Sequence, residues 1–262
     1  MKTDLATDFH RTIAKVPAVT LGFWIAKVAA TTLGETGGDW VTMTLNLGYL
    51  IGTAIFAAIF VGLVHAQIRA RRLHPFLYWS TIVATTTLGT KMADFFDRSL
   101  GVGYPGGTSL IGALLIASLL VWHRVEGTVS IQSIVEPRTE WFYWCTILFS
   151  QTLGTALGDW TAGEDRGGLG LGYERAALVF GGALLVVAAL YFWTRVSRTL
   201  LFWMAFILTR PLGATVGDFL DKPLSQGGLQ LSRLYASLAL LTFMVLCILL
   251  LPQRPARAGS GI

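Results

Sequence analysis

The sequence predicts an all-α integral membrane protein of eight transmembrane helices, arranged as four parallel two-helix repeats. The odd helices are expected to be central and kinked at glycine, and the even helices peripheral. Three observations carry this expectation. The 262 residues are 53% hydrophobic and only 13% charged, with a mean hydropathy of +0.61, whereas a soluble domain carries roughly 25% charge. Uncharged apolar runs recur at Leu47–Gln67, Tyr104–Trp122, Ala176–Thr194 and Leu234–Leu251, each near the ~20 residues that cross a ~30 Å hydrocarbon core. Between them a phrase is written four times: Trp, then Leu-Gly, then Asp followed by Trp or Phe.

In chain order, residues 1–16 form a polar tail. The first odd run, Ala18–Met43, contains Lys27 and Glu35, which makes it a poor signal-peptide core and predicts that it is retained. The later odd runs are Phe76–Phe96, Trp141–Trp160 and Leu200–Leu220. With the four even runs they make one membrane domain over 17–251, with repeats at about 17–70, 75–125, 139–196 and 198–251, and a tail at 252–262. Glycine and tyrosine mark the outer turns, in Asn46-Leu47-Gly48-Tyr49, Leu100 to Tyr104 and Leu169 to Tyr173. Trp122, Phe142, Tyr143 and Trp193 are expected to be interfacial belt residues.

Twelve Lys and Arg fall on the side of the termini, namely Lys2, Arg11, Lys15, Arg69, Arg71, Arg72, Arg124, Arg138, Arg195, Arg198, Arg254 and Arg257. Five fall on the other side, at Arg98, Arg166, Arg175, Lys222 and Arg233. The positive-inside rule then makes both termini cytoplasmic and explains the net charge of +5 as topology, without a nucleic-acid partner. Cys145 and Cys247 both lie in apolar runs, so neither a disulfide framework nor a thiolate zinc site is indicated.

The phrase keeps its spacing in every copy. Gly34, Gly89, Gly154 and Gly213 lie ten residues after Trp24, Trp79, Trp144 and Trp203, and Asp39, Asp94, Asp159 and Asp218 lie five residues further on. With each Trp at the cytoplasmic interface, the Gly would lie roughly 15 Å deep and the Asp roughly 22 Å deep, in one layer. A second small residue follows four positions after each Gly, at Gly38, Ala93, Gly158 and Gly217, and such small-xxx-small patterns let helices approach closely.

Packing needs the glycines but not the carboxylates, which are costly inside a bilayer. Asp39, Asp94, Asp159 and Asp218, with Glu35, are therefore expected to line a hydrated cavity as cation ligands or proton carriers, and Lys27, Lys91 and Arg210 to be their charge partners. With Thr36, Thr90, Thr155 and Thr215 the donors are all oxygen, which suits Mn²⁺, Mg²⁺, Ca²⁺, Na⁺ or a proton more than Zn²⁺. The copies are not equivalent, since Glu35, Lys91 and Arg210-Pro211 each occur once, so an asymmetric site is expected.

The repeated phrase, carried most fully by Thr31 to Trp40, resembles a family of bacterial membrane proteins defined by a tandem two-helix repeat of unknown function. The resemblance covers about Val16 to Leu251; it implies the bacterial inner membrane and supplies no activity. The leading expectation is a small transporter, export being one direction, of a hard cation such as manganese, with the ion as cargo, no resident cofactor, and the bilayer and a further copy of the chain as partners. The alternatives are a proton- or sodium-coupled carrier of another solute, or a channel or scaffold in which the repeat only packs helices. No nucleophile elbow or HExxH is present, and no enzyme is expected.

Overall fold

The computed structural model describes residues 13–41, 48–99, 101–131, 134 and 136–257. The expected tails therefore fall mostly outside the described residues, as do Asn46 and Leu47 of the first outer turn.

Eight α-helices are present among the described residues: α1 Leu21–Asp39, α2 Gly48–Arg69, α3 Pro75–Asp94, α4 Gly103–Glu126, α5 Pro137–Ala162, α6 Gly172–Trp193, α7 Arg198–Asp221 and α8 Arg233–Leu250. Local chemistry sets several of their ends. Thr20 accepts from the Phe23 amide at the start of α1, Pro75 and Pro137 occupy first-turn positions of α3 and α5, and Gly127 closes α4 in the left-handed conformation. The turns before α4 and α6 hold paired glycines at positive φ, Gly101 with Gly103 and Gly170 with Gly172, which side-chain-bearing residues adopt only with strain. Beyond Asp94 the chain continues as a π-turn, Phe95–Ser99.

The four odd helices pack on one another in a closed ring, α1 on α3, α3 on α5, α5 on α7 and α7 on α1, and α2, α4, α6 and α8 lie against its outside. Burial separates the two sets. Of the most apolar stretch of α7, 67% is buried, against 11% for α8 and 17% for α6. Five helices, α2 from Ile51, α4, α6, α7 and α8, are long and apolar enough to cross a membrane. Helices α1, α3 and α5 are as long, but their enclosed faces carry threonine and charge, which lowers their hydropathy.

Equivalent positions meet around the ring. The space that a Cβ would need at Gly34 is taken by Thr86, at Gly89 by Gln151, at Gly154 by Arg210, and at Gly213 by Thr31. Thr31, Thr86, Gln151 and Arg210 all stand seven residues after the Trp of their own repeat. Each glycine thus admits the same position of the next repeat, and the fourth repeat closes on the first. Helices α1, α3, α5 and α7 run through their Leu-Gly pairs without interruption, α7 through Pro211 as well.

The aromatic pairs at the start of each odd helix form a layer across one end. Phe23 meets Trp79 at 5.4 Å between centroids, Tyr78 meets Trp144 at 5.8 Å, and Phe202 meets Trp24 at 5.9 Å. In the remaining gap Trp122 touches both Tyr143 and Trp203. This corrects the belt expectation: Trp122 and Tyr143 are fully buried core residues, whereas Trp193 is 83% exposed. Trp79 and Trp144 are equally enclosed, and Trp203 donates to the Val129 carbonyl at 3.0 Å.

At the same end, strand β1 (Ile13–Pro17) pairs antiparallel with β2 (Pro255–Arg257), so the two segments expected to be tails are in part tied together. Lys15 donates to the Ile68 carbonyl and to Glu140, and Trp79 donates to Gln253.

Candidate functional site

Each odd helix turns the same stripe to the ring axis: the Trp, then positions three, seven, eleven and fifteen residues on. Most of these side chains are buried. Position three holds Lys27, Ile82, Ile147 and Phe206; position seven Thr31, Thr86, Gln151 and Arg210; position eleven Glu35, Thr90, Thr155 and Ala214; position fifteen the four aspartates. Apart from Lys27, the axis is therefore apolar near the aromatic layer and increasingly charged toward the other end.

Two ion-pair layers result. In the first, Arg210 donates from Nη2 to Glu35 at 2.9 Å, to the Thr90 hydroxyl and to the Thr86 carbonyl, and from Nη1 to the Thr31 carbonyl. Thr90 also donates to Glu35 at 3.2 Å, while Gln151 donates its amide to the Thr86 hydroxyl at 2.7 Å. In the second, Lys91 lies 3.1 Å from Asp39 Oδ1 and 3.4 Å from Asp94. Lys222 lies 2.7 Å from Asp39 Oδ2 and 3.1 Å from Asp218. Asp39 is thus held on both oxygens. Asp218 Oδ1 accepts no hydrogen bond and meets the Lys222 ammonium at 3.1 Å as an ion pair. One oxygen from each of Glu35, Asp39 and Asp218 lies within 4.8 Å of the other two.

The structure thus brings together Glu35, Asp39, Asp94, Asp218, Lys91 and Arg210. Asp159 is half-buried and lies outside the trio, within electrostatic reach of Tyr173, which also feels Asp218. Lys27 departs from its expected role. Among the described residues it meets no carboxylate; its ammonium donates to Gln151 Oε1 at 3.3 Å and rests 4.1 Å from the Phe206 ring centroid. The reason is distance, since eight residues of helix put Glu35 about 12 Å away along the axis. Thr36, Thr155 and Thr215 donate to carbonyls of their own helices, at Thr32, Gln151 and Pro211, which satisfies a hydroxyl away from water; of the four threonines expected as ligands, Thr90 alone donates to an acid of the trio. The expected glycines all sit at helix contacts: Gly38 faces Thr87 and Lys91, Gly158 faces Ala214, and Gly217 faces Glu35.

Two participants escaped the sequence reading. Gln151 had a signal, since position seven is polar in all four repeats. Lys222 had none, because it follows the helix and counts as a loop cation until α7 ends at Asp221 with an extended cap that carries it back over Asp218. Burial opposes the charge of Lys222, but Asp218, Asp39 and Asp221 outweigh it and hold its pKa well above the usual lysine value.

The model of a family described as "Repeat of Unknown Function (DUF347)" matches residues 22–73, 77–128, 142–197 and 201–254. The chain belongs to this repeat family. No curated protein and no solved structure matches it. Each DUF347 repeat takes in one odd helix and the even helix after it, so the ring of equivalent contacts is the repeat closing on itself.

Proposed function

We propose that the protein carries a hard cation across the bilayer, a divalent ion such as Mn²⁺ being the favoured cargo, with Glu35, Asp39 and Asp218 as the ligand trio and Asp94 and Asp159 flanking it. In this reading all eight helices span a bacterial inner membrane, both termini are cytoplasmic, and the repeats run parallel about an axis along the membrane normal. The observation that carries the proposal is the buried trio. Hard divalent ions hold oxygens at about 2.0–2.6 Å, so donors of one ion stand up to roughly 4–5 Å apart, and the trio's oxygens, all within 4.8 Å of one another, are close enough to share one. Asp218 Oδ1, which accepts no hydrogen bond, becomes free for an ion once the Lys222 ammonium 3.1 Å away withdraws.

Lys91 and Lys222 act as tethered substitutes for the cargo. Together they bring two positive charges to Asp39, Asp94 and Asp218, as many as a divalent ion would bring on displacing them. Entry of the ion and withdrawal of the ammoniums then conserve charge in a site where an unpaired carboxylate is expensive. Exchange requires the ring to open, with two repeats rocking against the other two and the glycine contacts as the moving surfaces.

The same ion pairs favour one rival, a helix-packing role in which the lysines neutralise the acids permanently. Flux separates the two. In vesicles loaded with a fluorescent chelator and carrying the purified protein, Asp39→Asn, Asp94→Asn, Asp159→Asn and Asp218→Asn are expected to abolish Mn²⁺ entry, while size-exclusion profiles stay those of the parent. Unchanged flux in these variants, or retained function with serine at the same positions, rejects the transport reading in favour of packing.

A further inference from the structure

Lys27 is fully buried on the ring axis, at a position where the other repeats place Ile82, Ile147 and Phe206. A lysine kept only to neutralise an acid would touch one, and this one does not. The groups around it accept either protonation state. The ammonium has the Gln151 side-chain amide oxygen and the Phe206 face. A neutral amine still donates one N–H to Gln151 and rests its stem on the ring, and it strands no carboxylate.

Among the charged groups on the helices packed against α1, Arg210 of α7 is the one that acts most on Lys27, and its charge has the same sign. Lys91 and Asp94 of α3 and Asp218 of α7 belong to the far layer, and Arg233 of α8 is held by Asp221 at 2.8 Å. Arg210 also bonds Glu35, a member of the trio, and Gln151 connects the Lys27 ammonium to Thr86, whose carbonyl Arg210 contacts. Charge on Lys27 and occupancy of the trio are therefore coupled through one guanidinium. When a cation takes Glu35, Arg210 loses part of its neutralisation and repels the Lys27 proton more strongly. When the cation leaves, Glu35 again offsets Arg210 and the amine can take a proton back.

We propose that Lys27 is the proton-carrying group that couples cation movement to a proton gradient, one proton leaving the ammonium for water on the side from which each cation binds and one returning from the opposite side when that cation departs. This inference rests on the cation-site reading of Glu35, Asp39 and Asp218. The reconstituted full chain tests it, with Mn²⁺ as the probe and a pH-sensitive dye inside the vesicles. The parent is expected to move protons against the Mn²⁺ flow. Lys27→Arg keeps a cation of similar reach that cannot release its proton, and is expected to lose proton-coupled flux. Lys27→Gln is expected to pass Mn²⁺ down its own gradient with no change of internal pH. Parental proton counterflow in Lys27→Arg overturns the inference and leaves the cation site standing; if that variant fails to fold, counterflow retained by Lys27→Gln does the same. Parental vesicles that admit no Mn²⁺ overturn the site reading and this inference together.

Discussion

A methyl group added at Gly34 should cost far more than one added at Gly181, although both glycines lie inside helices. At Gly34 a Cβ would overlap the Thr86 side chain and come within 3.3 Å of the Thr87 amide nitrogen, so α1 and α3 must separate. At Gly181 nothing lies within 4 Å. Both substitutions gain the same helix propensity, about 0.5–1 kcal/mol. That contribution cancels in the comparison and isolates the packing penalty, which for overfilled interiors is about 1–3 kcal/mol. Gly181→Ala should therefore be slightly more stable than the parent, and Gly34→Ala less stable by roughly 0.5–2 kcal/mol after its propensity gain. Thermal unfolding in detergent, followed by the fraction retained on size exclusion, gives both numbers under one condition. Thr86→Ser in the Gly34→Ala background removes the offending methyl but keeps the hydroxyl that accepts from Gln151, and should recover part of the loss. Equal shifts for Gly34→Ala and Gly181→Ala would refute the close approach of α1 and α3.

Lys222 gives a pH dependence of known sign. Its pKa is raised in the folded state, so the stability it contributes is complete below the unfolded lysine value of about 10.4 and is lost as pH rises through the folded value. The stability difference between the parent and Lys222→Gln should hold level from neutral pH and narrow above about pH 10.4 in denaturant titrations; a difference that widens with pH would contradict the ion pairs. Arg210→Met strands Glu35 and should cost about 3–5 kcal/mol, whereas Glu35→Gln in the same chain should restore most of it. Independent losses that simply add would show that the two side chains do not meet.

Most of the ring was legible because the sequence writes its geometry as spacing. An unvarying interval between Trp, Gly and Asp across four segments of different length requires rigid helices in a common register, and the small residues mark where they touch. What escaped depends on side-chain reach and chain direction at helix ends. The aromatic pairs suit a membrane interface and a protein core equally well, since a Trp carries both a large apolar face and one donor. Only the packing of Phe23 on Trp79 and of Tyr78 on Trp144 decides for the core. Charge counting across the odd helices assigned Lys27 to the acids, but pairing requires contact within about 4 Å, and helix rise places that residue two turns short of Glu35.

The departures from the repeat are concentrated where the four copies meet. Position seven is threonine in two copies, and the exceptions are Gln151 and Arg210; position eleven is threonine in two, and the exceptions are Glu35 and Ala214; Lys91 replaces Thr or Ala one residue later. A ring that served only to pack helices would tolerate the same small or hydroxylic residue in each copy, because each glycine receives an equivalent neighbour. Instead the substitutions pair between neighbouring repeats, Arg210 of the fourth with Glu35 of the first, and Lys91 of the second with the repeat aspartate Asp39 of the first. Arg210 or Glu35 left without the other would be a buried unpaired charge costing several kcal/mol, whereas Lys91 and Asp39 each keep a second partner in Asp94 and Lys222. The frame keeps near fourfold equivalence while its axis becomes one asymmetric charged centre, and it is this division that favours a binding site over a packing motif.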